Sequence, residues 1–428
     1  MKTIFKQTFT NMRTQPLLTG LTIAGTALAI CLIMIMMMTR EVQIADYGNE
    51  PYRSRTLYVS HSMVTFQNNG GISFNGSLEG SYIHGIFLKM KTPEAVAVYS
   101  PFLASPEVSI PNGENMVANV KAVNAAFFHV FPLQFVEGQA FTEEECSSNV
   151  PIALLSRSLC RRLFHQEQDV KGKVFIIANR EYRVAGVVED VSPLLRTAYA
   201  EIWVPAHFME KGEHPLDNAG LMPVYNGAVA LLAKSQADFP KIRKEVEQLL
   251  NIYNQQHTES TLNFVEQPDT REVADNREFT NHAPDMQAIY RRYIIIIAIL
   301  LIVPAINIAS MTQSRLRQRK EEIGVRRTFG AKRSTILGQI FMETFIQTIA
   351  AGLLGLMFCI IFCFAASDYI FEKRFGEEEI ASMSIDPSIL FSPQIYGWAL
   401  LFCFILNTMC SLIPAWRASR KNIVESLK

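Results

Sequence analysis

Residues 315–333 read RLRQRKEEIGVRRTFGAKR. Eight of them are basic (Arg315, Arg317, Arg319, Lys320, Arg326, Arg327, Lys332 and Arg333), against Glu321 and Glu322. An apolar run, Tyr293–Met311, precedes the stretch, and another begins near Phe345. Clustered Lys/Arg in a short loop between membrane spans stay on the cytoplasmic side, because carrying them across the bilayer is unfavourable. This one loop therefore orients the chain.

Working outward, four stretches are long and apolar enough to cross a hydrocarbon core of about 30 Å, which takes roughly 20 helical residues. They are Leu17–Met38, Tyr293–Met311, Phe345–Ala366 and Ile395–Ile413, and none contains a charged residue. The first follows a basic N-terminus, but its 22 residues exceed a signal-peptide core and end at Met38-Thr39-Arg40 without a small-residue cleavage site. It reads as a retained anchor.

The formal net charge is +0 only because opposite segments cancel. Residues 39–292 hold 23 Lys/Arg against 30 Asp/Glu, and residues 367–394 hold two against six. The N-terminus (Lys2, Lys6, Arg13) and the tail (Arg417, Arg420, Lys421, Lys428, with Glu425) are basic. Basic and acidic segments alternate at each crossing, as a four-span topology with both termini cytoplasmic requires. Only Arg291 and Arg292, outside the second span, run against it.

The expected layout is a cytoplasmic amphipathic segment (1–16), spans at 17–38, 293–313, 345–366 and 395–413, and an extracytoplasmic domain with its stalk at 39–292. A cytoplasmic loop (314–344), a short outer loop (367–394) and a cytoplasmic tail (414–428) complete it. The fold class is thus a four-helix membrane domain plus an extracytoplasmic α+β domain.

Within 39–292, strands are predicted at Thr56–Val59, Ile86–Met90, Asn115–Val123, Val150–Leu155 and Ala228–Ala233. Val174–Ala178 and Tyr182–Val188 form a predicted hairpin around Asn179-Arg180. Helices are predicted from Thr92-Pro93-Glu94, over Ser156–Phe164 with Ser156 as N-cap, and over Asp238–Tyr253 with Ile242, Val246, Leu249 and Leu250 on one face. This order describes an α/β unit interrupted by a β-rich insertion. Asn263–Ala283 is polar and leads toward a helical stalk.

Motifs for catalysis are absent. No G-x-x-x-x-G-K-[ST] supplies a phosphate cradle, and neither H-E-x-x-H nor G-x-S-x-G occurs. His207 and His214, with Glu210 and Glu213 between them, have zinc-capable residue types, but a solvated loop is the simpler account. Cys31, Cys359, Cys363, Cys403 and Cys410 lie in spans as packing residues; only Cys146 and Cys160 lie in the exported segment, where pairing stays open.

The central loop has helix grammar. Arg315–Thr328 continues the second span, Gly330 stops that helix, and Ser334 caps the next. Glu343 stands where that new helix meets the membrane, so its ionised form is expected to face water or a basic partner. Ala351, Gly352 and Gly355 give the third span a small-residue face for close helix packing. Pro304 predicts a kink in the second span.

EEIGVRRTFGAKRSTILGQIFME (321–343) resembles the cytoplasmic loop of FtsX/MacB-type ABC transporter permeases, roughly [RK]EIGxRRAxGAxRxxIxxxxxxE. PAWRASRKNIVESLK (414–428) resembles their closing PAxRAxxxxPxEALR, and residues 115–191 resemble the MacB-like periplasmic core domain. Ile423 replaces the usual tail proline, and Thr328-Phe329 stands where a small residue is commoner.

That resemblance implies an inner-membrane, multi-pass permease subunit with a periplasmic domain, working by mechanotransmission in export or in lipoprotein, peptide or drug handling. Glu322, Gly324, Arg326, Arg327, Gly330, Ala331, Lys332, Arg333, Ser334 and Glu343 would couple to a separate cytoplasmic ABC ATPase. That partner would bind ATP and Mg, so this chain would hold no cofactor or metal and catalyse nothing. A second permease chain, identical or not, and membrane lipid are further implied partners; a periplasmic or outer-membrane partner stays open, and nucleic acid is not implied. Two other readings stand beside it: a divisome-like regulator of cell-wall hydrolases, and a membrane-anchored extracytoplasmic enzyme.

Overall fold

The computed structural model describes residues 16–46, 48–66, 72–148, 150–193, 195–208, 223–224, 227–277, 282–318 and 333–375, with short pieces of 396–416. The chain divides into two compact units, Gln43–Asp285 and the rest.

The helices of these residues, in chain order, are α1 (Pro16–Ile44), α2 (Gly80–Gly85), α3 (Phe127–Val130), α4 (Glu143–Ser147) and α5 (Arg157–Phe164). They continue with α6 (Phe239–Gln256), α7 (Arg271–Asn276), α8 (Met286–Gln318) and α9 (Arg333–Phe375). Strands β1 (Thr56–Val59), β2 (Ser62–Phe66), β3 (Ile72–Gly76) and β4 (Ala95–Tyr99) come first. Next come β5 (Glu107–Ser109), β6 (Met116–Val117), β7 (Val120–Val123), β8 (Phe135–Glu137) and β9 (Ile152–Ser156). Then follow β10 (Val174–Ile177), β11 (Arg180–Val188), β12 (Ile202–Pro205), β13 (His207–Phe208) and β14 (Pro223–Val224). The last are β15 (Ala228–Leu232), β16 (Ser260–Asn263) and β17 (Asp269–Thr270).

Four of these strands make a frame. Their spatial order is β17-β1-β15-β4, every neighbour antiparallel. With α2 between β1 and β4, and α6 between β15 and β17, this is the split βαβ arrangement. β1 and β15 are buried along their whole length, as strands covered on both faces must be. Ile242 and Val246 of α6 join the core with Ile83, Ile86 and Phe87.

Residues 100–227 interrupt the frame between its adjacent strands β4 and β15. The insertion continues the sheet as β7-β12-β9-β11-β10-β5-β6, and β8 pairs with β11. β7 lies parallel to β12 and β9 parallel to β11. At the β8–β11 crossing, a Cβ on Gly138 (φ +82°) would collide with the Ala185 carbonyl oxygen, and one on Gly186 would sit 2.5 Å from the Glu137 oxygen. Two glycines are required there. The β10–β11 turn uses Ala178 and Asn179, both at positive φ, as a two-residue hairpin of this hand demands. Ser156 caps α5 by accepting from the Leu159 amide at 3.3 Å.

Two local expectations are overturned. Ile86–Met90 is a 3₁₀ turn over Phe87–Lys89 rather than a strand, because Ile86 and Phe87 point into the core beside α2. The Thr92-Pro93-Glu94 signal opens no helix; Ala95–Tyr99 is instead strand β4, paired along its length with β15. Tertiary pairing outweighs the local helix signal there.

In the other unit, two helices among the described residues hold stretches apolar and long enough to cross a membrane, Thr19–Met38 and Leu337–Phe362. α8 covers the second expected span as one helix through Pro304. Several of its isoleucines are exposed, among them Ile294 at 65% and Ile306 at 62%. Apolar side chains turned outward along a helix suit lipid, not water. Most of the fourth expected span lies outside the described residues.

Candidate functional site

Glu322, Gly324, Arg326, Arg327, Gly330, Ala331 and Lys332 lie outside the described residues. Arg333 and Ser334 open α9. Glu343 follows ten residues later and is 7% exposed. It lies inside the apolar stretch Leu337–Phe362, two residues before the span expected at 345–366. Its company on the same helix is polar and buried: Thr344, Gln347 and Thr348, the threonines donating to the Ile340 and Thr344 carbonyls at 3.0 and 2.9 Å.

The small-residue face packs closely. A Cβ on Gly355 would lie 2.8 Å from the Ala27 carbonyl oxygen and 3.2 Å from Ile30, so α9 meets the backbone of α1 there. Ala351 is fully buried, and Gly352 faces Leu400 and Tyr396. Cys359 Sγ lies 3.6 Å from Met38 Sδ. Contacts climb both helices together, so α1 and α9 run in the same direction, as first and third spans of an alternating topology do.

Sequence reasoning missed a dense polar site buried in the exported unit. Glu50 is fully buried and uses both carboxylate oxygens. Oε2 accepts from Arg53 Nε at 2.6 Å and faces Arg271 Nη1 at 3.7 Å; Oε1 accepts from the Thr197 and Ala198 amides at 2.9 and 3.0 Å. Arg53 also donates to the Ala45 carbonyl at 3.2 Å. Arg271 donates to Thr197 Oγ1 at 2.8 Å and pairs with Asp275 at 3.2 Å. Burial alone would raise the Glu50 carboxyl, but Arg53 and Arg271 hold it below its ordinary value.

The loop these groups hold is gripped from its other side as well. Lys121 of β7 donates to the Arg196 and Thr197 carbonyls at 2.8 and 2.7 Å, and Trp203 of β12 donates to the Ala198 carbonyl at 3.1 Å. Burial pushes the Lys121 ammonium down to about 7, Glu50 resisting and Arg271 adding to the shift. Residues 196–198 therefore present amides to the frame and carbonyls to the insertion. The members come from positions 45–53, 121, 196–203 and 271–275, so no local spacing announces them.

Among the described residues no group of three or more His, Cys, Asp and Glu is placed to hold a metal. His214, Glu210 and Glu213 lie outside them. Cys146 and Cys160 are both free thiols.

Long apolar helices with outward side chains, flanking an exported split βαβ domain with a β-rich insertion, define a membrane-anchored permease architecture. A sequence model of the MacB-like periplasmic core domain matches residues 19–249, more than half of the chain, and one of the FtsX-like permease C-terminal matches residues 294–423. The chain belongs to the FtsX/MacB-like ABC transporter permeases.

Among its relatives, the uncharacterized ABC transporter permease YknZ of Bacillus subtilis is 24% identical over 316 residues, covering 74% of this chain and 71% of that protein. The macrolide export ATP-binding/permease protein MacB of Escherichia coli is 22% identical over 322 residues, 74% of this chain but only 44% of MacB. The crystal structure of the extracellular domain of YknZ aligns at TM-score 0.34 and 16% identity, covering 47% of this chain and 99% of that one. The periplasmic region of MacB from Actinobacillus actinomycetemcomitans aligns at TM-score 0.32 and 15% identity, covering 48% and 88%.

Proposed function

We propose that this chain is a non-catalytic permease subunit that converts ATP hydrolysis by a separate cytoplasmic ATPase into movement of its exported domain. ATP and Mg belong to that partner, and a second permease chain completes the assembly. The basic loop 314–344 is the docking lever, with Arg326 and Arg327 as its cationic grip. Both termini are cytoplasmic, and four spans carry the exported domain outside the inner membrane. Export, or handling of a lipoprotein, peptide or drug, is the work done.

The observation that carries this reading is the bonding of residues 196–198. The segment following α1 and the helix α7 preceding α8 are joined, through buried charges, to the inserted layer. A domain so tied at both of its membrane connections is suited to being moved as a body. Glu343 is buried within an apolar stretch, so the reading rests on that tie and not on uncharged spans.

Arg326→Glu with Arg327→Glu is the test. The variant should reach the membrane at wild-type level while the ATPase that co-purifies with the wild-type chain is lost. Undiminished co-purification would refute the lever.

A further inference from the structure

We infer that Glu50 and Arg271 are positioning residues for conformational coupling: they clasp the incoming segment, the outgoing helix and the 196–198 loop, so that frame and insertion move together. This rests on the mechanical reading above and deepens it by saying where displacement crosses from frame to insertion.

Geometry carries the inference. Ala45 follows α1 directly, and its carbonyl accepts from Arg53; Arg271 opens α7, the last helix before α8. Between these two chain connections stands one carboxylate, Glu50, bonded or paired to both arginines. Its second oxygen takes two backbone amides of the insertion, which fixes the loop's position and also its orientation. Arg271 adds the Thr197 hydroxyl.

The same three peptides are anchored into the insertion's sheet by Lys121 and Trp203. A displacement of either connection therefore reaches β7 and β12 through bonded groups only.

Apolar packing would hold these segments together without fixing their relative angle. A carboxylate with both oxygens used permits one arrangement. Rotating the loop strands a buried charge, which is costlier than sliding one methyl past another. Frame and insertion also meet where Tyr99 of β4 pairs with Val123 of β7 and Asn124 bonds the Val96 and Val98 backbone. The clasp adds a second, buried and charged attachment to that junction.

The test uses the full chain in nanodiscs, with its co-purified ATPase. Spin labels go on cysteines at exposed Gln256 of the frame and Glu181 of the insertion. The variants are E50Q, R271M and T197V. T197V removes only the hydroxyl that Arg271 grips and leaves every charge in place, so it carries the test should the others fail to fold.

In the wild type, the label distance should be narrow and the same with and without trapped ATP. In the variants it should broaden, and the Thr197 and Ala198 amides of E50Q should exchange about tenfold faster, the scale of one lost charge-assisted hydrogen bond. Binding of the ATPase and its basal hydrolysis should stay unchanged. A narrow distance and unchanged exchange in every folded variant would overturn the clasp, as would a wild-type distance that shifts with ATP. Failure of the broader reading looks different: no ATPase co-purifies at all, while the nucleotide-free distances and exchange rates still distinguish wild type from variant.

Discussion

Arg277 grips Asp269 with two N–H···O bonds, Nε to Oδ2 at 2.6 Å and Nη2 to Oδ1 at 3.0 Å, and both side chains are buried. Asp269 begins β17 and faces Tyr58 of β1 across the sheet. The pair thus pins the frame's outer strand to the segment running toward α8. Breaking it from one side leaves an uncompensated buried carboxylate, so Arg277→Met should destabilise the exported unit by about 3–5 kcal/mol. Adding Asp269→Asn should recover part of that loss. Thermal unfolding of the full-length chain in detergent measures both, and equal losses in single and double variants would refute the pairing.

Gly355 offers a contest between two magnitudes. Alanine would gain about 1 kcal/mol of helix propensity, but its Cβ would press on the Ala27 carbonyl at 2.8 Å. Overpacking costs about 1–3 kcal/mol, so Gly355→Ala should be net destabilising. Gly20 has open space around it, and Gly20→Ala should be neutral or mildly stabilising. Melting temperatures that move together in the two variants would exclude the close contact.

Lys121 should give the exported unit a pH-dependent stability. Its folded-state value is about 7 against an ordinary 10.5. Between those values the unfolded chain binds more protons than the folded one, so stability rises with pH across that window, by up to about 1.4 kcal/mol per unit. Below about 7 the full cost is present and this slope vanishes. Lys121→Met should lack the rise between pH 7 and 10, and parallel wild-type and variant profiles would show that the ammonium is not held as described.

The two exported thiols should be sluggish. Burial pushes Cys146 and Cys160 up to about 12, with Glu143 adding to the first and Glu137 to the second. Thiolate is the reactive form, so alkylation of the folded chain at pH 8 should be slow at both and fast once the chain is denatured. Labelling of Cys160 at the rate of an unfolded thiol would contradict its complete burial.

Periodic and locally capped features were legible in the chain. The Ser156 cap, the Asn179 turn and the apolar face of α6 each follow from residues a few positions apart. The interrupted α/β order was legible too, since β15 does return to lie beside β4. The strand expected at Ile86–Met90 failed because an apolar pentapeptide does not distinguish a buried strand from a buried turn. The Glu50–Arg271 site left no trace at all. Its partners are brought together by the sheet order, and an isolated charge near an apolar run reads as solvent-exposed until the fold buries it.

Tyr99 and Ala228 are paired sheet neighbours, although residues 100–227 separate them along the chain. The long excursion leaves and rejoins at one spot, with its ends about 5 Å apart, the spacing of paired antiparallel residues. A foreign fold with similarly adjacent termini can be spliced there without redrawing the four strands beneath. The inserted layer can thereby be exchanged like a tool head, while the frame that carries it stays the same.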